Sequence, residues 1–171
     1  AGVLTFKTAP DFETKTSYTA TVTASDGVNS ITQDITINVT NVNDIAPVFT
    51  SEATFSAAEN QTAIGTVTAT DAEGDGIAYS ILGSEIVVNA SSGVLTFVSA
   101  PDYETKSTYT ATVTASDGVN STTQDITINI TNVNDVAPVF TSGDTYTADE
   151  NQNLAANINA IDADGDTVTF S

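Results

Sequence analysis

Threonine alternates with apolar residues in two long stretches, Tyr18 to Ala24 and Tyr109 to Ala115. In Tyr109-Thr110-Ala111-Thr112-Val113-Thr114-Ala115 the period is two, the pattern of a half-buried strand. Ile126-Thr127-Ile128-Asn129-Ile130-Thr131 repeats it, with Ile126, Ile128 and Ile130 inward. Further extended stretches are Val48 to Phe55, Ala63 to Ala69, Ile77 to Ile81, Glu85 to Asn89 and Val94 to Phe97. Turn signals separate them: the acidic loop Asp71 to Gly76, Asn89-Ala90-Ser91-Ser92-Gly93, and Ser116-Asp117-Gly118-Val119-Asn120. No helical period occurs. Seven strands in about a hundred residues predict an all-β chain of immunoglobulin-like sandwiches.

The pattern recurs. Gly2-Val3-Leu4-Thr5-Phe6 returns as Gly93-Val94-Leu95-Thr96-Phe97, Pro10-Asp11-Phe12-Glu13 as Pro101-Asp102-Tyr103-Glu104, and Pro47 as Pro138, each 91 residues on. That is a domain-sized unit rather than a solenoid turn. The expected division is 1–47, the C-terminal half of one unit; 48–138, a whole unit; and 139–171, the N-terminal part of a third. The two end pieces together make up a unit without the counterparts of residues 81–91. Two readings follow: a segment cut from a longer array, or a subunit whose tail completes the next subunit's head by strand complementation.

Between units lie Asn41-Val42-Asn43-Asp44-Ile45-Ala46-Pro47 and Asn132-Val133-Asn134-Asp135-Val136-Ala137-Pro138. The proline ends the preceding ladder and fixes the exit direction. Asn, Asp and backbone carbonyls are hard oxygen donors, which suit calcium.

Charge sharpens this reading. There are 22 Asp plus Glu against 3 Lys plus Arg, a net charge of −19. Nothing is available to replace counterions on a nucleic-acid backbone, and an anionic membrane surface is disfavoured for the same reason. The 40% apolar content, arranged in alternation, argues against disorder. The remaining use of so much acid is to hold multivalent cations. There is no cysteine, so disulfides do not staple the fold. Cysteine-free, Thr- and Asn-rich composition fits a bacterial secreted chain. No apolar run reaches membrane-helix length. The opening Ala1-Gly2-Val3-Leu4-Thr5-Phe6 lacks the basic start of a signal peptide, and the chain reads as part of a longer protein.

Acidic motifs recur in order: Glu59-Asn60, Asp71-x-Glu73-x-Asp75, Asp102-x-Glu104, Ala115-Ser116-Asp117, and then the linker. In that order they resemble the cadherin repeat over the whole chain. There are departures: Asn41 and Asn132 stand where the motif has Asp, Ile45 and Val136 follow the linker Asp, and Asp-x-Glu replaces Asp-x-Asp in the second unit. The extra Asp75 and Asp166 look more like bacterial cadherin-like repeats. The resemblance implies cadherin-type sandwiches joined by calcium-binding linkers in an extracellular adhesion protein. It implies these ligands at the first joint: Asp11, Glu13, Asn43, Asp44, the carbonyls of Val42 and Ile45, and Asp71, Glu73 and Asp117, with Asp75 a further candidate. At the second joint it implies Glu59, Asp102, Glu104, Asn134, Asp135, the carbonyls of Val133 and Val136, and Asp162 and Asp164, with Asp166 a further candidate. Each joint is complete only if the array continues.

Bare carboxylates at roughly 4 Å repel by about 1 kcal/mol per pair in water, and more when partly buried. Cations would cancel this; solvated loop acids are the plainer alternative. An EF-hand at Asp162 to Asp166 fails, because Thr167 stands where glycine is required and the second unit's copy has Leu82 at the bidentate position. Sequons at Asn38, Asn60, Asn89, Asn120 and Asn129 are expected by chance in a Thr-rich chain. With no His, Cys or Trp, catalysis has little to stand on. The expected role is a calcium-stiffened rod for adhesion, cell contact or a biofilm matrix. Its partners would be neighbouring repeats, with homophilic or head-to-tail self-assembly as a rival. A spacer or carbohydrate-binding module of a secreted enzyme ranks last.

Overall fold

The computed structural model describes residues 2–171. Its ordered elements are all strands. The first segment contributes one hairpin, β1 (Ser17–Ser25) and β2 (Ser30–Asn38), paired antiparallel from Ser17 opposite Asn38 to Ser25 opposite Ser30.

Residues 48–131 build a two-layered sandwich. Its strands are β3 (Val48–Phe49), β4 (Thr54–Ala58), β5 (Ala63–Thr66), β6 (Ala69–Thr70), β7 (Ala78–Leu82), β8 (Ile86–Val88), β9 (Val94–Phe97), β10 (Thr108–Ser116) and β11 (Ser121–Thr131). One sheet has the order β4-β11-β10-β7, with β4 parallel to β11 and the other pairs antiparallel. The other has the order β5-β9-β8, and β3 pairs with β6 beside it. The seven expected strands are present, but the first two are each broken. Val48 to Phe55 divides into β3 and β4, which join different pairings, and Ala63 to Ala69 divides into β5 and β6. The break in the second strand frees Val67 to point fully into the core and bond Gly93 by its N–H at 2.9 Å.

Alternation places the core. Val113 and Ala115 of β10, Ile126, Ile128 and Ile130 of β11, Leu95 and Phe97 of β9, Ile86, Val67 and Ala57 are all buried. Burying each large apolar side chain contributes about 1.5–3 kcal/mol. Tyr109 meets Phe97 edge to face at 5.0 Å between ring centres. Lys106 covers the Tyr109 ring at 4.2 Å and pairs with Glu85 at 2.7 Å. Gly93 is required: its φ is +70°, and a Cβ there would lie 2.1 Å from the Val67 carbonyl oxygen.

In the third segment β12 (Val139–Phe140) pairs with β13 (Ala160–Ile161), as β3 pairs with β6. This repetition puts each linker between an earlier β-rich segment and a following acidic loop.

Candidate metal centres at the joints

Each following acidic loop is folded by its own carboxylates. Asp71 Oδ1 accepts the N–H groups of Glu73 and Asp75, both at 3.0 Å, and Asp162 Oδ1 accepts that of Asp166 at 3.3 Å. Gly74 and Gly165, both at φ +82°, allow the loop to turn back on itself. As a result Asp71, Glu73 and Asp75 converge, and so do Asp162, Asp164 and Asp166, with carboxylate oxygens within 4.8 Å of one another.

The larger cluster lies at the second joint. Glu59, Glu104, Asp135 and Asp164 bring one oxygen each within the same 4.8 Å. These residues come from four separate parts of the chain: the end of β4, the loop before β10, the linker and the next acidic loop. At the first joint Glu13, Asp44 and Glu73 converge in the same way, and they are the counterparts of Glu104, Asp135 and Asp164.

Glu59 is the anchor. It is 3% exposed. Its Oε2 accepts the Tyr103 N–H and its Oε1 the Val133 N–H, both at 2.7 Å. The linker then grips the next loop. Asp135 and Val136 donate their N–H groups to Asp164 Oδ2 at 3.1 and 2.9 Å, and Ile45 donates to Glu73 Oε2 at 3.3 Å.

The crowding of acids shows in the protonation equilibria. Partial loss of hydration raises the Glu104 carboxyl above its usual range, and the charge of Glu59 and the neighbouring Asp164 add to it. Glu73 is raised chiefly by the same loss of water; the Ile45 N–H opposes this, while Asp71, Glu13 and Asp44 reinforce it. Asp117 is lowered on balance: burial pushes it up, but N–H groups of Asn120 and Val119 outweigh that.

Several expected residues stand outside these clusters. Asp11 and Asp102 fold their own turns: the Thr14 hydroxyl donates to Asp11 at 2.8 Å and that of Thr105 to Asp102 at 2.9 Å, and both acids are lowered by these bonds first of all. Asp117, expected at the first joint, lies there beside Asn43, outside the three-carboxylate cluster. Val42 is 63% exposed, and Val133 uses its N–H toward Glu59. Asn134 donates its amide to Asp166.

Four amide contacts were not among the expected ligands, the first being Asn41 to the Glu73 carbonyl at 3.2 Å. Asn60 donates to Asp135, Asn120 donates to Asn43 Oδ1 at 2.8 Å, and Asn132 donates to the Asp164 carbonyl at 2.7 Å. Asn60 immediately follows Glu59 and has φ +63°, so its place in the motif was the available signal.

The arrangement fits calcium. Oxygen ligands on one Ca2+ sit at about 2.3–2.6 Å, so two of them lie at most about 5 Å apart. The 4.8 Å spread of each cluster meets that limit. Buried oxygens without any hydrogen-bond partner also face this region: Asp71 Oδ2, Glu73 Oε1, Asp117 Oδ2 and Asp164 Oδ1. Such charged, acceptor-only atoms are suited to a cation or to the hydrogens of water.

Fold and joints together define an immunoglobulin-like sandwich with an acidic linker at either end, the linker motif recurring 91 residues on. The Cadherin domain family matches residues 53–131, so the central unit is cadherin-like. The chain is 37% identical over 153 residues to human protocadherin Fat 1, across 78% of this chain and 3% of that protein. It is 35% identical over 161 residues to the Drosophila melanogaster protocadherin-like wing polarity protein stan, across 82% of this chain and 4% of that protein. Among solved structures, protocadherin gamma B2 extracellular cadherin domains 3–6 superpose with a TM-score of 0.75 at 28% identity, over 90% of this chain and 45% of that one. The chain thus spans only a few per cent of the length of the curated relatives it matches. The relatives it matches are named as protocadherins, protocadherin-like proteins and cadherins. Among the described residues no helix is long and apolar enough to cross a membrane.

Proposed function

We propose that this chain is a calcium-stiffened spacer in a large extracellular adhesion protein, divided into units at 1–47, 48–138 and 139–171. The observation that carries the reading is the convergence of Glu59, Glu104, Asp135 and Asp164 from two units and the linker between them. Without a cation their repulsion drives the units apart; with calcium the same groups lock them together. Asp71, Glu73, Asp75 and Asp117 serve the first joint with Glu13, Asn43 and Asp44. Asp162, Asp164, Asp166 and Asn134 serve the second with Glu59, Glu104 and Asp135. Asp11 and Asp102 act as turn-formers whose remaining lone pairs complete the shell, beside the carbonyls of Val42, Ile45, Val133 and Val136. The absence of cysteine and the additional Asp75 and Asp166 support a bacterial surface or secreted protein, with adhesion or a biofilm matrix as its setting.

Calcium titration by calorimetry tests the site. A saturable binding heat is expected, weakened by Asp135→Asn and by Asp164→Asn. A flat titration of the unaltered chain would end the proposal.

A further inference from the structure

Both linkers begin with an amide where the motif they resemble has a carboxylate. Each amide is used in the same way. Asn41 Nδ2 donates to the backbone carbonyl of Glu73 at 3.2 Å, and Asn132 Nδ2 donates to that of Asp164 at 2.7 Å. Both bonds span 32 residues and cross from the linker to the following acidic loop. The residue reached is the middle acid of that loop, whose carboxylate already receives linker N–H groups. Glu73 and Asp164 are therefore held at backbone and side chain together, by contacts that use no metal.

A carbonyl has no proton to give, so only the amide nitrogen can make this bond. An aspartate of the same shape would set oxygen against oxygen. It would also add a negative charge beside carboxylates that already repel one another. We propose that Asn41 and Asn132 are metal-independent latches: each keeps the acidic loop of the following unit docked on the linker when no cation is bound. The inference rests on the calcium reading for the purpose of the cluster, while the latch itself is a bond between neutral groups. Such a bond does not titrate and is little affected by salt, unlike the carboxylates around it. It sets how far a joint opens when calcium leaves. It also sets how much of the joint is already assembled when calcium returns, and apparent affinity scales with that fraction.

The test uses the full chain, which has no cysteine of its own. Spin labels on Leu82→Cys and Leu154→Cys, 72% and 67% exposed, flank the second joint. Distance distributions are recorded in chelator and in calcium for the unaltered linker and for Asn132→Ala, Asn132→Asp and Asn132→Gln. In chelator the open-to-docked ratio is expected to rise roughly 2- to 10-fold for Ala, the effect of one neutral hydrogen bond, and at least as far for Asp. Gln, which keeps a donor, recovers part of the docking. In saturating calcium Ala and the unaltered linker coincide. If Ala and Asp match the unaltered linker in chelator, there is no latch. If the unaltered chain gives one distribution with and without calcium, the calcium reading fails, yet the comparison in chelator still reports the latch. The unfolding midpoint of each variant is followed alongside; an unchanged midpoint with a changed ratio assigns the effect to the joint, and a ratio that moves only with the midpoint overturns the proposal.

Discussion

Glu59 Oε1 accepts the backbone N–H of Val133 at 2.7 Å, tying the end of β4 to the linker 74 residues later. The same side chain accepts Tyr103 N–H through its other oxygen. A buried carboxylate thus closes the bottom of the sandwich onto its own exit before any ion is considered.

Replacing Glu59 should therefore weaken the unit itself. Glu59→Ala leaves two part-buried N–H groups without their acceptor, where a fully buried orphan would cost about 1–3 kcal/mol. A loss of roughly 1–3 kcal/mol in denaturant unfolding, measured in chelator, is the expected outcome. A change below about 0.5 kcal/mol would mean that water replaces the carboxylate and that Glu59 matters only through the cation.

Gly93 offers a test of the core independent of the joints. With φ +70° and the Val67 carbonyl oxygen 2.1 Å from an added Cβ, Gly93→Ala forces the backbone to move. The expected cost is about 3 kcal/mol or more, at the upper end of single substitutions. Gly118→Ala has φ +96° but nothing within 4 Å, so it should cost less. Equal losses at the two positions would contradict the close approach.

The acids at the joints predict opposite pH responses. Glu104 and Glu73 are raised in the folded protein, so the folded state binds protons more readily there than the unfolded chain. Their contribution to stability in chelator is present below the ordinary glutamate value of 4.5 and is lost as pH rises through the raised value. Asp102 and Asp117 are lowered, so their contribution is present above the ordinary aspartate value of 3.8 and fades as pH falls below it. Mild acidification just above 4.5 should thus close the metal-free joint and compete with calcium for the same oxygens. Calcium affinity that is indifferent to pH in that window would contradict the assignment of Glu104 and Glu73.

The fold was largely legible in the sequence because strand alternation reports burial directly. Ile126, Ile128 and Ile130 are buried as their period of two requires. The division of the first strand between β3 and β4 was not legible, because it depends on which neighbouring strand each half meets. At the joints, the resemblance implied Glu59, Glu104, Asp135 and Asp164 within a longer ligand set, and the structure brings these four together. It did not reveal that Asp102 spends its oxygens on Thr105, since a local turn and a ligand look alike in a motif. Nor did it reveal the donors Asn60, Asn120 and Asn132, whose partners lie 75, 77 and 32 residues away.

Small-angle scattering of the chain, titrated with calcium and then with chelator at fixed protein concentration, tests the central claim most directly. The account predicts that the radius of gyration settles at that of a stiff, extended array as the joints fill, and that chelator restores a broader ensemble of bent shapes at the same mass. Identical scattering curves with and without calcium would contradict it.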